Sequence, residues 1–213
     1  MNVIECAQGS AEWHAARCGR VTASRVADVI AKTKSGWGAS RANYMGELIA
    51  ERLTGEPAEK YTNAAMAWGT EKEPEARAAY EMATETWVSE VGFVLHPRIE
   101  CSGASPDGLV GADGLIEIKA PNTSTHIETL LGQNVPSRYV TQIQWQLACT
   151  GRAWCDFVSF DPRLPEAMRL FTSRVTRDER LIASLEAEVA AFLIELNDKV
   201  LALTDLYGER AAA

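Results

Sequence analysis

The sequence predicts an α/β (α+β) domain in which a central mixed β-sheet is flanked by helices. Apolar residues recur at helical spacing in the first third of the chain and again near its C-terminal end. From residue 87 the spacing changes to the alternation of period two that is typical of strands. The resulting order of helices, strands, helices, strands and a final helix indicates a layered mixed domain. With 213 residues, the chain is long enough for a single full core.

The helices are predicted from apolar spacing together with capping and stop residues. Ser10 is expected to cap the first helix and Ser24 the second, and a Gly- and Ser-rich loop over 33–40 precedes the third. The long Ala-rich helix is expected to bend near Gly69 or Pro74. The helical segments are 10–18, 24–32, 41–55, 63–83, 123–131, 137–150 and 177–203.

The strands are predicted where apolar and polar residues alternate. The turn 111–114, of sequence GADG, is expected to join two of them into a hairpin. The other strand segments are 87–95, 99–102, 153–160 and 168–175.

Composition excludes several classes of protein. No apolar run is long enough to span a bilayer, and the N-terminal MNVIECAQGS lacks the basic and apolar regions of a secretory signal. The five cysteines are scattered and odd in number, which argues against a disulfide framework, a zinc ribbon or a four-cysteine iron–sulfur cluster. We therefore expect a cytoplasmic protein with no membrane partner.

The net charge of −8 argues against nucleic acid as a partner, but the charge is unevenly distributed. Residues 17–41 carry about +5, which leaves about −13 on the rest of the chain. Such a segment fits contact with a phosphate backbone, and it fits a solvated basic loop equally well. Its basic residues are Arg17, Arg20, Arg25, Lys32, Lys34 and Arg41.

The segment GASPDGLVGADGLIEIKAP at 103–121 places two carboxylates and an ammonium in apolar, Gly-rich surroundings. Glu117 and Lys119 leave the same face of a strand, and the hairpin turn brings Asp107 back toward Glu117. Converging carboxylates raise each other's pKa unless a cation intervenes, and oxygen ligands, including the Ile118 carbonyl, favour Mg²⁺ or Mn²⁺. Lys119 can hold the attacking water or neutralise a phosphate during phosphodiester hydrolysis. A surface Glu–Lys pair beside a Pro-Asp-Gly turn is the alternative at this point.

A wider pattern surrounds this segment. Pro106-Asp107 followed by Glu117-Ile118-Lys119 matches the PD-(D/E)xK nuclease signature, and further stretches resemble the phage lambda exonuclease/YqaJ-type viral recombinase family. The resemblance covers roughly residues 10–175 and is more specific than the short signature. In chain order the matching stretches are WHAARCGRVTAS at 13–24, AWGTEKEPEAR at 67–77, ASPDGL at 104–109 and YVTQIQWQL at 139–147.

The resemblance implies a restriction-endonuclease-like core and a Mg²⁺-dependent 5′→3′ exonuclease, with Mn²⁺ as a possible substitute. The family degrades one strand of linear double-stranded DNA from 5′-phosphorylated ends. It leaves 3′ overhangs for a single-strand annealing protein in phage-type recombination, and its members form rings of three subunits. We therefore expect a phage- or prophage-encoded protein with one nuclease domain over 1–213. Its expected parts are a phosphate-binding helical part at 10–55, a catalytic core at about 60–175 and a C-terminal helix at 177–203.

The resemblance also assigns the hydrolytic residues. Asp107 and Glu117 are expected to be metal ligands, and Lys119 the catalytic base or the group that orients water. Glu73 matches a helical glutamate near the metals in the family. Tyr139 and Gln142, in the predicted helix 137–150, match a Y-x-x-Q element that completes the site in the family. They lie on one face of that helix.

The same resemblance assigns contacts to DNA. Arg17, Thr22 and Ser24 match residues that bind the 5′-phosphate, and Ser105 is expected to contact it too. Ordinary helix capping by Thr22 or Ser24 is the alternative. Met66 aligns with an apolar wedge that helps to separate the strands.

One position departs from the family pattern. Thr125 stands where the founding member has an arginine, so one phosphate contact is expected to be missing or supplied by another residue. The candidates for that replacement are Arg20, Arg41 and Arg138.

Three alternatives remain beside the exonuclease. A structure-specific or restriction-like endonuclease would share the fold and the acidic residues. A non-catalytic protein that binds DNA ends would not need Asp107, Glu117 and Lys119 together. A metabolic α/β enzyme is disfavoured because the chain has no Gly-rich phosphate loop.

Overall fold

The computed structural model describes residues 1–34, 36–58 and 63–208. The helices are α1 (Ala11–Arg17), α2 (Val26–Val29), α3 (Ala39–Thr54), α4 (Ala64–Thr84), α5 (Thr123–Gly132), α6 (Ser137–Thr150) and α7 (Glu179–Tyr207). Short 3-10 turns lie at Ala23–Arg25 and Glu166–Met168. The strands are β1 (Asn2–Ile4), β2 (Val21–Thr22), β3 (Lys32–Thr33), β4 (Gly36–Trp37), β5 (Val88–Ser89), β6 (Phe93–Leu95), β7 (Ser102–Ala104), β8 (Gly108–Val110), β9 (Gly114–Lys119), β10 (Trp154–Phe160) and β11 (Leu170–Thr176).

The main sheet has the strand order β11-β10-β9-β8-β5. Strands β9 and β10 are parallel, and the other neighbours in this sheet are antiparallel. A second sheet, β1-β6-β7-β2, contains one parallel pair, β2 with β7. Helices cover these mixed sheets, which confirms the predicted fold class.

Helices cover both faces of strand β9, and five of its six residues are buried. Ile116 and Ile118 pack with Ala76 and Tyr80 of α4. Leu115 points the other way and packs with residues of α6. Glu117 and Lys119 share that second face, since side chains alternate along a strand. The two faces of β9 therefore fix α4 and α6 on opposite sides of the predicted site.

Two glycines in the β8–β9 hairpin are required for different reasons, one for its backbone conformation and one for close packing. Gly111 has a φ of 53° in the turn, a conformation that residues with a side chain rarely adopt. A Cβ atom at Gly114 would overlap the ring of Trp154 on the neighbouring β10. The hairpin predicted around 111–114 is confirmed, with Gly108 opposite Ile116.

Several predicted elements are confirmed. Ser10 caps α1 by accepting a hydrogen bond from the backbone nitrogen of Trp13 at 3.2 Å. The Ala-rich helix continues through Pro74 to Thr84, and the final helix runs past 203 to Tyr207. Strand β1 was not predicted, because its three residues gain their order only by pairing with β6.

Other predicted elements are wrong. Ser24 does not cap a helix over 24–32, because a 3-10 turn occupies Ala23–Arg25 and α2 has only four residues. Part of the predicted loop 33–40 forms the β3–β4 hairpin. The strand predicted over 99–102 begins only at Ser102.

Some predicted boundaries fall outside the described residues. These are Ser35 in the predicted loop and the predicted start of the catalytic core near residue 60. Within the described part of the chain, no helix combines the length and apolar character needed to cross a membrane.

Asp161, directly after β10, links three parts of the fold. Its buried carboxylate accepts hydrogen bonds from Thr123 Oγ1 at 2.7 Å and from the Arg163 guanidinium at 2.7 and 2.9 Å. The guanidinium in turn lies 4.5 Å from the ring centroid of Trp68 in α4. Burial disfavours the charged form, but the hydrogen bonds from Arg163 and Thr123 outweigh it and lower the pKa of Asp161 to about 2.

We expect Asp161→Asn to lower the free energy of unfolding by about 2 kcal/mol at pH 7, because hydrogen bonds to a charged group are lost. A depressed pKa in the folded state stabilises the protein above the unfolded value of 3.8, and this contribution disappears as pH falls to about 2. Urea unfolding between pH 7 and pH 2 should therefore show the difference from wild type shrinking below about pH 4. Asp198→Asn, at an exposed position of α7, is the control. An equal difference at both ends of the pH range would contradict this account.

Candidate active site

Glu117 is the centre of the candidate site. Its side chain is fully buried in the middle of β9, where an unpaired charge would be very costly. Lys119 Nζ lies 2.5 Å from Glu117 Oε1, and the Nε2 atom of Gln142 donates to the same oxygen at 2.6 Å. Gln146 Nε2 donates to Oε2, also at 2.6 Å. These three donors compensate the buried charge.

Asp107 lies at the start of β8, beside Glu117, as the hairpin prediction requires. Its Oδ2 atom accepts a hydrogen bond of 2.6 Å from the backbone nitrogen of Ile118. Burial raises the pKa of Asp107 well above its ordinary value, and the charge of Glu117 raises it further. The two carboxylates are therefore close enough to repel each other.

Lys119 is the cation of the cluster. Its side chain is partly exposed, at 28%. Burial disfavours the charged ammonium, but the carboxylates of Glu117 and Asp107 outweigh burial and raise the pKa of Lys119. In this arrangement Lys119 is protonated at neutral pH, so it donates hydrogen bonds and does not accept a proton.

Tyr139 occupies the position predicted for it at the start of α6. Its half-buried ring stacks on Phe157 of β10, with centroids 5.2 Å apart. Lys119 Nζ lies 5.5 Å from the Tyr139 ring centroid. The ring therefore forms a wall of the site next to the ammonium, one helical turn before Gln142.

Glu73 approaches the carboxylates from α4. Burial raises the pKa of Glu73, and the charge of Glu117 adds to the effect, although the Arg77 guanidinium opposes both. Arg77 Nη2 donates to Glu73 Oε1 at 2.8 Å and to the Asp107 carbonyl oxygen at 3.1 Å. The arginine thus ties α4 to the segment that carries Asp107.

A cleft of about 1110 Å³ connects Glu73 with the residues predicted to bind phosphate. Within it, the Arg17 guanidinium lies 4.1 Å from the ring centroid of Trp13. Ser105 Oγ accepts hydrogen bonds from Trp13 Nε1 at 2.8 Å and from Arg17 Nη1 at 3.4 Å. Because the Ser105 oxygen is the acceptor in both, its own proton is available to a further acceptor such as phosphate. The predicted DNA contacts that line the cleft are Arg17, Thr22, Ser24 and Met66.

The predicted DNA contacts differ in exposure. Thr22 is buried and its backbone nitrogen lies 3.2 Å from Tyr44 Oη, whereas Ser24 is exposed. Neither side chain caps the 3-10 turn or α2, so the capping alternative is not observed. Met66 is 50% exposed on the first turn of α4, a position that suits a wedge better than a core residue.

Three of the six basic residues in segment 17–41 pair with carboxylates within the described part of the fold. Arg25 pairs with Glu47 at 2.9 Å, and Lys32 pairs with Glu188 at 2.8 Å. Arg41, a proposed replacement at the Thr125 departure, is buried and pairs with Glu195. The other two candidates to replace the family arginine are Arg20 and Arg138. Arg20 lines the cleft, and the Arg138 guanidinium lies against the Tyr139 ring.

The hairpin offers suitable donor chemistry for a divalent cation. Among the described residues, no three His, Cys, Asp or Glu side chains converge in a way that could hold a metal ion. Asp107 and Glu117 supply two carboxylates, and burial, followed by the charge of Glu117, raises the pKa of Asp107. Hard oxygen donors with excess negative charge suit Mg²⁺, which commonly completes its shell with water and substrate phosphate.

Sequence reasoning missed two residues at the site. Gln146 was not singled out, although it binds Glu117 as closely as Gln142 does. Arg77 was not singled out, although it contacts both Glu73 and the Asp107 segment. A signal was present in each case, since both partners lie four residues from a predicted site residue, on the same helix face.

Comparisons with known proteins give a family and several similar structures. Residues 12–153 match the YqaJ-like viral recombinase domain. The chain is similar to an alkaline exonuclease, LHK-Exo from Laribacter hongkongensis, with 56% identity and a TM-score of 0.86 over 92% of this chain and 97% of that chain. The structure of LHK-Exo in complex with dAMP gives a TM-score of 0.87 at the same identity and coverage.

A more distant structure shows the fold alone. It is a phage-related exonuclease from Haemophilus somnus 129PT, 16% identical, with a TM-score of 0.71 over 86% of this chain and 96% of that chain. No curated protein matches the chain. Together, the family match and the similar structures confirm the family resemblance seen in the sequence.

We expect Glu117→Gln to lower the pKa of Lys119, because the nearest carboxylate that raises it becomes neutral. NMR titration of the Lys119 side-chain nitrogen, in protein free of metal and DNA, measures this directly. Glu188→Gln, which neutralises the surface partner of Lys32, should leave Lys119 unchanged. An unchanged or higher pKa of Lys119 in Glu117→Gln would show that the carboxylate does not control the ammonium.

Proposed function

The chain belongs to the YqaJ-like viral recombinase family, and we propose that it is a Mg²⁺-dependent 5′→3′ exonuclease acting on linear double-stranded DNA. The observation that carries the proposal is the cluster of Asp107, Glu117 and Lys119. It lies in a chain that is 56% identical to an alkaline exonuclease. Degradation of one strand would leave a 3′ overhang, the substrate that single-strand annealing in phage-type recombination requires.

In this proposal Asp107, Glu117 and the backbone carbonyl of Ile118 hold Mg²⁺, or Mn²⁺ in its place. The two carboxylates fit because they are oxygen donors whose mutual repulsion a cation relieves. When bound, such an ion supplies Lewis-acid polarisation of the phosphate and a more acidic water. Glu73 adds negative charge from α4 close enough to Glu117 for the two charges to interact, which supports cation binding there.

The remaining roles follow from the hydrogen bonds of the chain itself. Lys119, protonated in this arrangement, orients the attacking water or a phosphate oxygen by donation. A role for Lys119 as the base requires that the charges of Glu117 and Asp107 first be neutralised. Gln142 keeps the Glu117 carboxylate in place, and Tyr139 limits where the ammonium can move.

The part of the cleft around Arg17 suits the 5′-phosphate. Arg17 supplies charge, and Ser105, Ser24 and Thr22 supply hydroxyl groups around it. The exposed Met66 lies on the same cleft and can separate the terminal base pair.

The quaternary and cellular parts of the proposal rest on the family. We propose a ring of three subunits that encloses DNA, a single-strand annealing protein as partner, and action in the cytoplasm of a bacterial host. A ring is compatible with the net charge of −8, because an acidic outer surface repels DNA while the cleft holds its end.

The decisive experiment is digestion of a 5′-phosphorylated linear duplex labelled separately at each end, with Mg²⁺ or with EDTA. We expect mononucleotides from the 5′-terminated strands only, and no product with EDTA or with Lys119→Ala. Covalently closed circular DNA should remain intact. Cleavage of the circle would favour the endonuclease, and binding of ends without any cleavage would favour the non-catalytic protein.

Arg17→Ala tests the phosphate end of the cleft. Loss of hydrogen bonds to a charged group should lower kcat/KM on 5′-phosphorylated ends by roughly 10- to 100-fold, with a smaller loss on 5′-hydroxyl ends. Arg98→Ala, which removes a surface partner of Glu186, is the matched control and should retain wild-type rates on both ends. Equal losses of Arg17→Ala on the two kinds of end would remove the phosphate contact from the proposal.

A further inference from the structure

Helix α6 places two glutamine amides on the one buried carboxylate of β9. Gln142 and Gln146 are four residues apart, so both side chains leave the same face of the helix. Each donates through Nε2 at 2.6 Å, Gln142 to Glu117 Oε1 and Gln146 to Glu117 Oε2. The plane of the Glu117 carboxylate is therefore fixed at both oxygens by the same helix.

The hydrogen bonds of Glu117 leave one oxygen less occupied than the other. An ionised carboxylate can accept about four hydrogen bonds, two at each oxygen. Oε1 accepts from both Lys119 and Gln142, whereas the described contacts of Oε2 consist of the Gln146 amide. The remaining lone pair thus belongs to the oxygen that Gln146 holds.

The buried amide of Gln146 is expected to lower the stability of the fold. Its side chain is fully buried, and its Oε1 atom has no hydrogen-bond partner among the described residues. A buried acceptor without a partner is destabilising, so an apolar side chain would be tolerated better if Gln146 only filled space. The reversed amide would place two oxygens against each other, so the donor must face Glu117.

We propose that Gln146 is a positioning residue that holds Glu117 Oε2 ready for the divalent cation, and this inference rests on the proposed function. Gln146 contacts the carboxylate and not the substrate, so it acts through Glu117. Carboxylates that ligate metals are usually oriented by such hydrogen bonds, and loss of one commonly weakens metal binding by 10- to 100-fold.

The same helix supplies a matched control. Gln144 is also buried, but its Nε2 donates to the Thr176 carbonyl oxygen at 2.8 Å and its Oε1 accepts from the backbone nitrogen of Asp178 at 2.9 Å. The two ends of that amide bind the last residue of β11 and the N-cap residue of α7, and neither contacts Glu117. Gln144→Met therefore removes a buried amide of equal size that has only a structural task.

The test compares wild type with Gln146→Met, Gln146→Asn and Gln144→Met, each in the full chain without DNA. Calorimetric titration with Mn²⁺ measures cation affinity, and thermal unfolding in EDTA measures stability. We expect both Gln146 variants to bind Mn²⁺ at least about 10-fold more weakly. Asparagine is included because it stays polar but is one methylene too short to keep the bond. Gln144→Met should lose stability while it keeps the wild-type affinity.

Mg²⁺ titration of nuclease activity adds a second readout. The Gln146 variants should need more Mg²⁺ for half-maximal rate, and Gln144→Met should not. Wild-type Mn²⁺ affinity in both Gln146 variants would overturn the positioning role while leaving the nuclease intact. A wild type that neither binds Mn²⁺ nor cleaves DNA would overturn the proposed function and this inference together.

Discussion

The buried carboxylate of Glu117 is the constraint on which the arrangement of this molecule depends. A charge in the middle of a fully covered strand is tolerable only where donors surround it, and here they come from β9 itself and from α6. Leu115 packs against the same helix, so α6 is held to β9 by apolar and polar contacts together. Displacing α6 would expose a charge as well as apolar surface.

The alternation of β9 distributes the chemistry between two helices. Glu117 and Lys119 face α6, while Ile116 and Ile118 face α4, which carries Glu73. Asp107 joins the cluster through the backbone of β9, where its Oδ2 atom accepts from the nitrogen of Ile118. Arg77 then fixes α4 against the Asp107 segment, so groups from four elements meet without any of them lying on a long loop.

What the sequence could predict was local, and what it could not predict depended on packing. The cluster of Asp107, Glu117 and Lys119 could be predicted because one hairpin carries all three residues. The spacing of Gln146 from Gln142 places it on the same helix face, but its bond to Glu117 depends on how α6 packs over β9, which the sequence does not show. The free charge of segment 17–41 was overestimated because partners such as Glu188 are distant in sequence. Ser24 failed as a cap because the chain tightens into a 3-10 turn there.

The segment from Ser105 to Asp107 lies between the cleft around Arg17 and the carboxylates of the candidate site. Ser105 receives hydrogen bonds from Trp13 and Arg17, and Asp107, two residues later, binds the backbone of β9. Two residues of chain span at most about 7 Å. Gln8 further restrains this segment by donating to the Pro106 carbonyl oxygen at 2.8 Å. On the proposed function, this short restrained segment therefore limits the distance between the 5′-phosphate site and the carboxylates.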